Sequence, residues 1–453
     1  MKKGEVTVYL SLIFILLLSF IGSIIESASI QVSKNYKRGD MDRAMESVFA
    51  EYQIELLKEY DIFALEGTYE TGQFSYDNIW DRIVYYGGAE ASREMNGIRL
   101  LTDNNAQAFQ EQILAYMEHK LGITELNKLT GNSADWTWQE DQIDDYQSED
   151  ATVQEQMNES LAEAEEALPE EENPLVNISN IKQSSLLNIV VSNPEQLSQK
   201  QIDLSSVPSG RTMQKGHGTF STRITNQVLT KAAIGEYVLE QFEHYLVAEE
   251  TNSILYQIEY LLGGKASDME NLKYVVNRII MLRFVTNYAY ILTDAQKQAE
   301  ASALALSLCT LLTVPGIAEM VKHSILLGWA YGESIMDARS LLNGKKVAIV
   351  KNAENWQLSL SGLLTLGTAE DTKEGADTEG GLDYQGYLRI LLFTTDQDTL
   401  AMRALDMIEL NLRLNQDLTF FRADNCISAM TIKSQYSLRR GIQYEFGTNF
   451  GYQ

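Results

Sequence analysis

The sequence predicts a membrane-anchored α+β protein, in which an N-terminal transmembrane helix continues into an amphipathic stalk and a mainly helical body carries a small C-terminal antiparallel sheet. Three observations predict it. Val6–Ile25 runs twenty residues without a charge. Stretches of the second half repeat apolar residues at helical spacing, and from Cys426 onward the period changes to two.

The first element is the anchor. Twenty helical residues reach about 30 Å, the thickness of a bilayer hydrocarbon core. A cleavable secretory signal is the competing reading, with Lys2 and Lys3 as its basic start and Ser27-Ala28-Ser29 as its exit, but signal cores run to only about 7 to 15 residues. The length favours a retained anchor. Lys2 and Lys3 on one side, diluted by Glu5, face Lys34, Lys37 and Arg38 on the other, so the basic residues leave orientation open. The large body that follows favours a single-pass cell-membrane protein with a short cytoplasmic tail and an extracytoplasmic C-terminal body. Glu26 stands at the outer end of the helix, either as a solvated interfacial carboxylate or against a basic group of a neighbouring membrane helix. Gly22 and Ser23 permit close approach, so Gly22, Ser23 and Glu26 form a candidate membrane-helix interface. Beyond it, Ala44, Val48, Tyr52, Leu56 and Tyr60 recur every four residues beside Met41, Met45 and Phe49, and no Pro or Gly interrupts residues 40–60.

These residues carry a resemblance. KKGEVTVYLSLIFILLLSFIGSIIESASIQ followed by DRAMESVFAEYQIELLKEYDIFAL resembles a family of single-anchor membrane proteins of Gram-positive bacteria, associated with Tad-type pilus or secretion genes and compared with TadE and TadG pseudopilins. The likeness extends more loosely through EYVLEQFEHYL, IEYLLGGKASDMENLKYVVNRIIMLRF, Leu342–Lys345 and DYQGYLRILLF. It implies a membrane-associated assembly component and brings no catalytic residues with it. Pilin-like precursors are cut after a Gly before the apolar helix, and Gly4-Glu5 occupies that place; the Glu expected five positions after the cut is replaced by Tyr9.

The chain divides as 1–30 anchor, 31–130 helical stalk and proximal domain, 131–174 acidic linker, 175–218 irregular crossing, 219–345 helical domain and 346–453 α+β C-terminal region. Asn105–Leu121 reads as a helix. Fifteen acidic residues lie between Asp135 and Glu172, in a stretch from 129 to 181 without Lys or Arg. Its sparse apolar positions Val153, Met157, Leu161 and Leu168 predict a solvated helix near 149–167 or a disordered linker. Pro174, Pro194 and Pro208 punctuate the crossing. Ile234, Val238, Phe242 and Tyr245 form a helical face that resumes at Ile254, Ile258 and Leu261 after Glu249–Asn252. Ser267 and Glu270 have capping-box spacing ahead of Leu272, Val275, Val276 and Ile279. The uncharged run 301–318 predicts a buried hairpin of helices 295–313 and 316–342 broken at Pro315, with Cys309 in the core and Trp329 packed, in preference to a second membrane span. Residues 366–381 predict an exposed acidic loop. Tyr387–Thr394 predicts a strand, Thr399–Asn415 a helix, and CISAMTIKSQYSL with IQYEFGTNFGY the final sheet.

Function is bounded by what the composition excludes. In 453 residues, 63 acidic against 36 basic side chains give a net charge of −27, which argues against nucleic acid as a partner. No G-x-S-x-G elbow, H-E-x-x-H helix or Ca²⁺-loop spacing occurs, and GGKAS lacks the P-loop arrangement. His119, His217, His244 and His323 are dispersed, and Cys309 and Cys426 stand 117 positions apart. The sequence thus offers no catalytic, cofactor or metal residues. Arg211, Lys215 and His217 suggest a mobile basic loop or an anion site. The expected function is a non-enzymatic structural or assembly component of a pilus-like or secretion apparatus. Its expected partners are membrane lipid and membrane proteins of that apparatus, with self-association also open. The alternative is a membrane-anchored extracytoplasmic ligand-binding or sensor module using the region around Gly216 or the sheet edge.

Overall fold

In the computed structural model the apolar N-terminus and the stalk form one helix, α1 (Lys3–Phe49). The structure describes every residue except 1, 2, 89–91, 165, 171, 249–252, 311, 313–315, 417 and 453. Gly4–Ile25 are exposed throughout, whereas Met41, Ala44, Met45 and Val48 are completely buried. That spacing of three, one and three residues is the helical stripe. The stripe does not continue unbroken to Tyr60. After Phe49 the chain turns, the Gln53 amide donates to the Ala64 carbonyl (2.9 Å), and α2 (Ile54–Tyr60) begins as a separate helix, with the Gln53 side chain accepting from the Glu55 amide (3.4 Å). Asp61, in the left-handed region at φ 56°, closes α2.

The described residues divide into two compact units, each assembled from non-contiguous segments. Unit 1 comprises 1–115, 212–225 and 408–453; unit 2 comprises 116–211 and 226–407. In unit 1, α3 (Tyr76–Tyr85) and a four-stranded antiparallel sheet complete the core that α1 begins. β3 (Cys426–Ser437) is its centre. β2 (Ser92–Leu100) pairs along one edge, and β1 (Leu65–Glu66) and β4 (Gln443–Gly451) share the other. The final two strands match the period-two reading; β1 and β2 come from the first hundred residues, so the sheet is not built from the C-terminus alone. Ile98, Leu100, Ile427, Met430 and Ile432 pack with the buried stripe of α1 and with Ile79, Trp80 and Ile83 of α3. α4 (Asp103–Leu121) opens with Asn104, Asn105 and Ala106 all at positive φ, so its regular turns start after them.

Unit 2 is helical: α5 (Ile123–Leu129), α6 (Ser133–Glu163), α7 (Pro174–Gln183), α8 (Leu186–Val190), α9 (Gln227–Gln241), α10 (Gln257–Gly263), α11 (Asp268–Ile291), α12 (Ala295–Leu308), α13 (Ile317–Leu342), α14 (Gly362–Thr365), α15 (Tyr384–Thr394) and α16 (Gln397–Asn415), the last reaching into unit 1 residues. Ser267 caps α11: the Glu270 amide donates to Ser267 Oγ (3.3 Å), and the hydroxyl, in place of the backbone amide of a full capping box, donates to Glu270 Oε2 (2.9 Å). Trp329 is 1% exposed and donates to the Leu358 carbonyl at 2.7 Å. α12 stops at Leu308, so Cys309 is a half-buried helix cap, not a core residue. Pro315 and the Glu249–Asn252 interruption lie outside the described residues.

Three local expectations are corrected in whole or in part. The helical reading of the acidic stretch holds, but the helix, α6, starts at Ser133, is 31 residues long, and packs: Met157 and Leu161 are buried, Tyr146 stacks edge-on against Tyr288 (5.2 Å), and Arg278 and Lys182 pair with Glu140 and Asp150. Its apolar residues are few, but cations on other helices neutralise its inner face. The expected irregular crossing begins with α7 and α8, where Asn173 caps Leu175 (3.0 Å) and Pro174 takes the first turn, a position that needs no amide. The run 387–394, expected as a strand, is helical in α15. Asp383 caps the helix at the Gly386 amide (2.9 Å) and the helix is buried on nearly all sides, so its apolar run shows no helical stripe.

Candidate functional site

The most distinctive surface is α1 itself. Twenty uncharged residues left exposed are costly in water, because fully burying one large apolar side chain gains roughly 1.5–3 kcal/mol. Among the described residues this is the one helix long and apolar enough to cross a membrane. The Ser11 and Ser23 hydroxyls donate to the Thr7 and Ser19 carbonyls four residues back (2.8 and 2.9 Å), which satisfies them within the helix itself, as an apolar surrounding would require. Ser19, Gly22, Ser23 and Glu26 fall at helical positions i, i+3, i+4 and i+7, so the three predicted interface residues share one face. A side chain added at Gly22 or at Gly4 would meet no atom within 4 Å, so both places are open. Gly4 and Glu5 lie in the first turn of α1, apart from the Gly22 face.

The helix enters the body through a clamp made by the end of the chain. Phe49 packs on Phe450 and Tyr452 (ring centroids 4.6 and 5.1 Å), the Tyr452 hydroxyl donates to the Phe49 carbonyl (2.5 Å), and Thr448 donates to Asp42 (3.0 Å). Closer to the anchor, Lys34 and Lys37 lie over the Tyr444 and Tyr436 rings at 5.1 and 5.4 Å, within cation–π range. Sequence reasoning missed this role of the C-terminal aromatics. Their alternation in QYEFGTNFGY was the available signal, but alternation does not say which element a strand will face.

Unit 2 has a separate polar centre. Arg283 on α11 donates to Asp337 (2.9 Å), and Lys351 donates to both Glu333 (2.6 Å) and Asp337 (2.7 Å) on α13. Asn287, Tyr387 and the Gln357 and Leu358 amides complete the network. Burial works to raise Asp337, but Arg283 and Lys351 outweigh it and hold the carboxyl below the usual range. Two cations and two carboxylates balance, and the network ties residues 351–358 to α13 and, through Arg283, the Ile349 carbonyl to α11. Beside it lies a cleft of about 840 Å³ lined by Met336, Trp356 and Gln357 and by an acidic loop that includes Glu374, Asp377 and Glu379.

The basic group expected near Gly216 is distributed differently. Ile98 and His217 form an antiparallel bridge with both bonds at 2.9 Å, and the Gly216 amide donates to Asp103 (3.0 Å), so these residues are tied down at the edge of β2. Arg211 belongs to unit 2 and donates to the Ser206 carbonyl (2.6 Å). Among the described residues no group of three or more His, Cys, Asp or Glu is placed to hold a metal.

Fold and surface together define a mainly helical protein with one exposed apolar helix of spanning length and a small antiparallel sheet. Residues 164–438, more than half of the chain, match a family of unknown function, DUF5702, and the chain belongs to that family. No curated protein and no solved structure matches it.

Proposed function

We propose that the protein is a single-pass, membrane-anchored structural or assembly component of a pilus-like or secretion apparatus, with its C-terminal body outside the cytoplasm. One observation carries the reading: α1 passes without a break from an exposed apolar segment into the core of unit 1. A tether to a soluble module needs only a flexible linker. Here the anchor is instead the first core helix of unit 1, about 70 Å long at helical rise, so force or displacement on one end is delivered to the other. This is the arrangement that the pseudopilin-like amino terminus calls for.

In lipid, helices gain little from apolar contact alone, and specificity comes from close packing and polar groups. Gly22, Ser23 and Glu26 supply both on one face. Membranes from cells expressing the Gly22→Leu, Glu26→Leu double variant test this after in situ crosslinking. The expected result is unchanged insertion and protein level with loss of crosslinked membrane partners and of the assembled apparatus. Wild-type crosslinking and assembly in the variant would remove the interface. A gene deletion that left assembly intact would remove the function.

A further inference from the structure

Unit 1 contains a pocket of about 410 Å³ that the anchor does not use. Its walls are β2 at Ile98 and Arg99, the turn from Thr102 to Asn105, and the segment Met213–Gly218 with Phe220. Arg99 is 9% exposed and Thr102 is 3% exposed. The Arg99 guanidinium is oriented from one end only: Nη1 donates to Glu111 Oε2 (2.8 Å), while Glu111 Oε1 accepts from the Arg223 amide (3.0 Å). Arg99 Nε and Nη2 have no partner, nor has the Thr102 hydroxyl, although all three atoms are buried.

The identity of the unpaired atoms matters. Nε–H and Nη2–H point along the same side of the guanidinium plane and together make the two-pronged edge that grips a carboxylate or phosphate. Burying such an edge without an acceptor is costly, and buried donors in folded proteins are nearly all paired. The wall also holds the Asp103 carboxylate, but it is engaged by the Leu100 amide (2.7 Å) and the Gly216 amide (3.0 Å), which fix the pocket's two sides to each other. Lys215 at the exposed rim adds a second positive charge.

We propose that this pocket is an oxyanion-binding site, in which the Arg99 side chain turns outward to bring Nε and Nη2, closed off from solvent in the empty pocket, together with the Thr102 hydroxyl, onto one phosphate or carboxylate group that Lys215 draws in. The site is independent of the anchor's assembly role and gives unit 1 a small-ligand function of its own. Isothermal titration of the full-length protein in nanodiscs, with inorganic phosphate and with malonate at ionic strength held constant by chloride, tests it. One or both probes should bind saturably at one site per chain. Thr102→Val and Arg99→Lys should each weaken that binding at least tenfold, and Lys215→Gln by less. Should Arg99→Lys lose its native circular dichroism, Thr102→Val, which alters one hydroxyl, decides. No saturable binding of either probe to the wild type, or equal affinity in a folded Thr102→Val variant, would overturn the site.

Discussion

Glu259 shows what one buried group does to the whole of unit 2. It is fully buried, accepts from the Tyr384 hydroxyl (2.7 Å) and the Tyr245 amide (3.0 Å), and leaves its second oxygen unpaired. Burial pushes its pKa up from 4.5 to about 7. Between those values the folded chain holds a proton that the unfolded chain has released. Its stabilising contribution is therefore complete at low pH and is lost as pH rises to about 7, in total about 3 kcal/mol. Chemical denaturation at about pH 5 and about pH 8 should show unit 2 weaker at the higher pH, and Glu259→Gln should remove that part of the difference. The ion network makes a sharper prediction. Lys351→Met leaves Glu333 and Asp337 buried beside one cation instead of two, and should cost roughly 3–5 kcal/mol of unfolding free energy. A loss below about 1 kcal/mol would show that water enters the site on its own. Ser267→Ala, which removes one cap, should cost only about 1 kcal/mol.

At the scale of elements, α6 and α1 place opposite demands on their sequences. The acidic composition of 133–163 marks the solvent side of α6, while its attachment lies in a few residues on the other side: Met157, Leu161, Tyr146 and the pairs Arg278–Glu140 and Lys182–Asp150. Replacing 135–172 by a short flexible linker should therefore lower the thermal midpoint of unit 2 by several degrees, because Tyr288 and Phe284 lose their cover. An unchanged midpoint would make α6 a passenger. In α1 the decisive residues are Met45 and Phe49, which fasten the helix to the sheet. Phe49→Ala should cost about 3–5 kcal/mol in unit 1 through the lost packing on Phe450 and Tyr452, without releasing the protein from membranes. Both α6 and α15 show why a short or sparse pattern misleads. A helix surrounded by protein has no polar face to reveal its period, and a helix mostly in water has too few apolar residues to reveal it.

For the whole molecule, the membrane attachment and the fold are separable tests. The protein should remain in the membrane fraction through high-salt and alkaline washes, since screening weakens charge contacts and leaves the lipid contact of twenty uncharged residues unaffected. A soluble mature chain beginning near residue 30 would show a cleaved signal instead, whereas a membrane-bound chain beginning at Glu5 would show processing at Gly4. The sequence by itself determined the long apolar helix, the buried stripe at Met41–Phe49, the capped start of α11, the packed Trp329 and the final two strands. Each is written in neighbouring residues, as a period, a cap or an uncharged run. Only the tertiary structure decided that β1 and β2 join those strands, that the C-terminal aromatics clamp α1, that cations on α7 and α11 hold α6, and that Arg99, with two buried donors unpaired, lines a pocket. These depend on partners from 12 to more than 400 positions away, and on whether a buried donor finds an acceptor at hydrogen-bond distance. A pattern of residue types carries no information about either until the chain has closed.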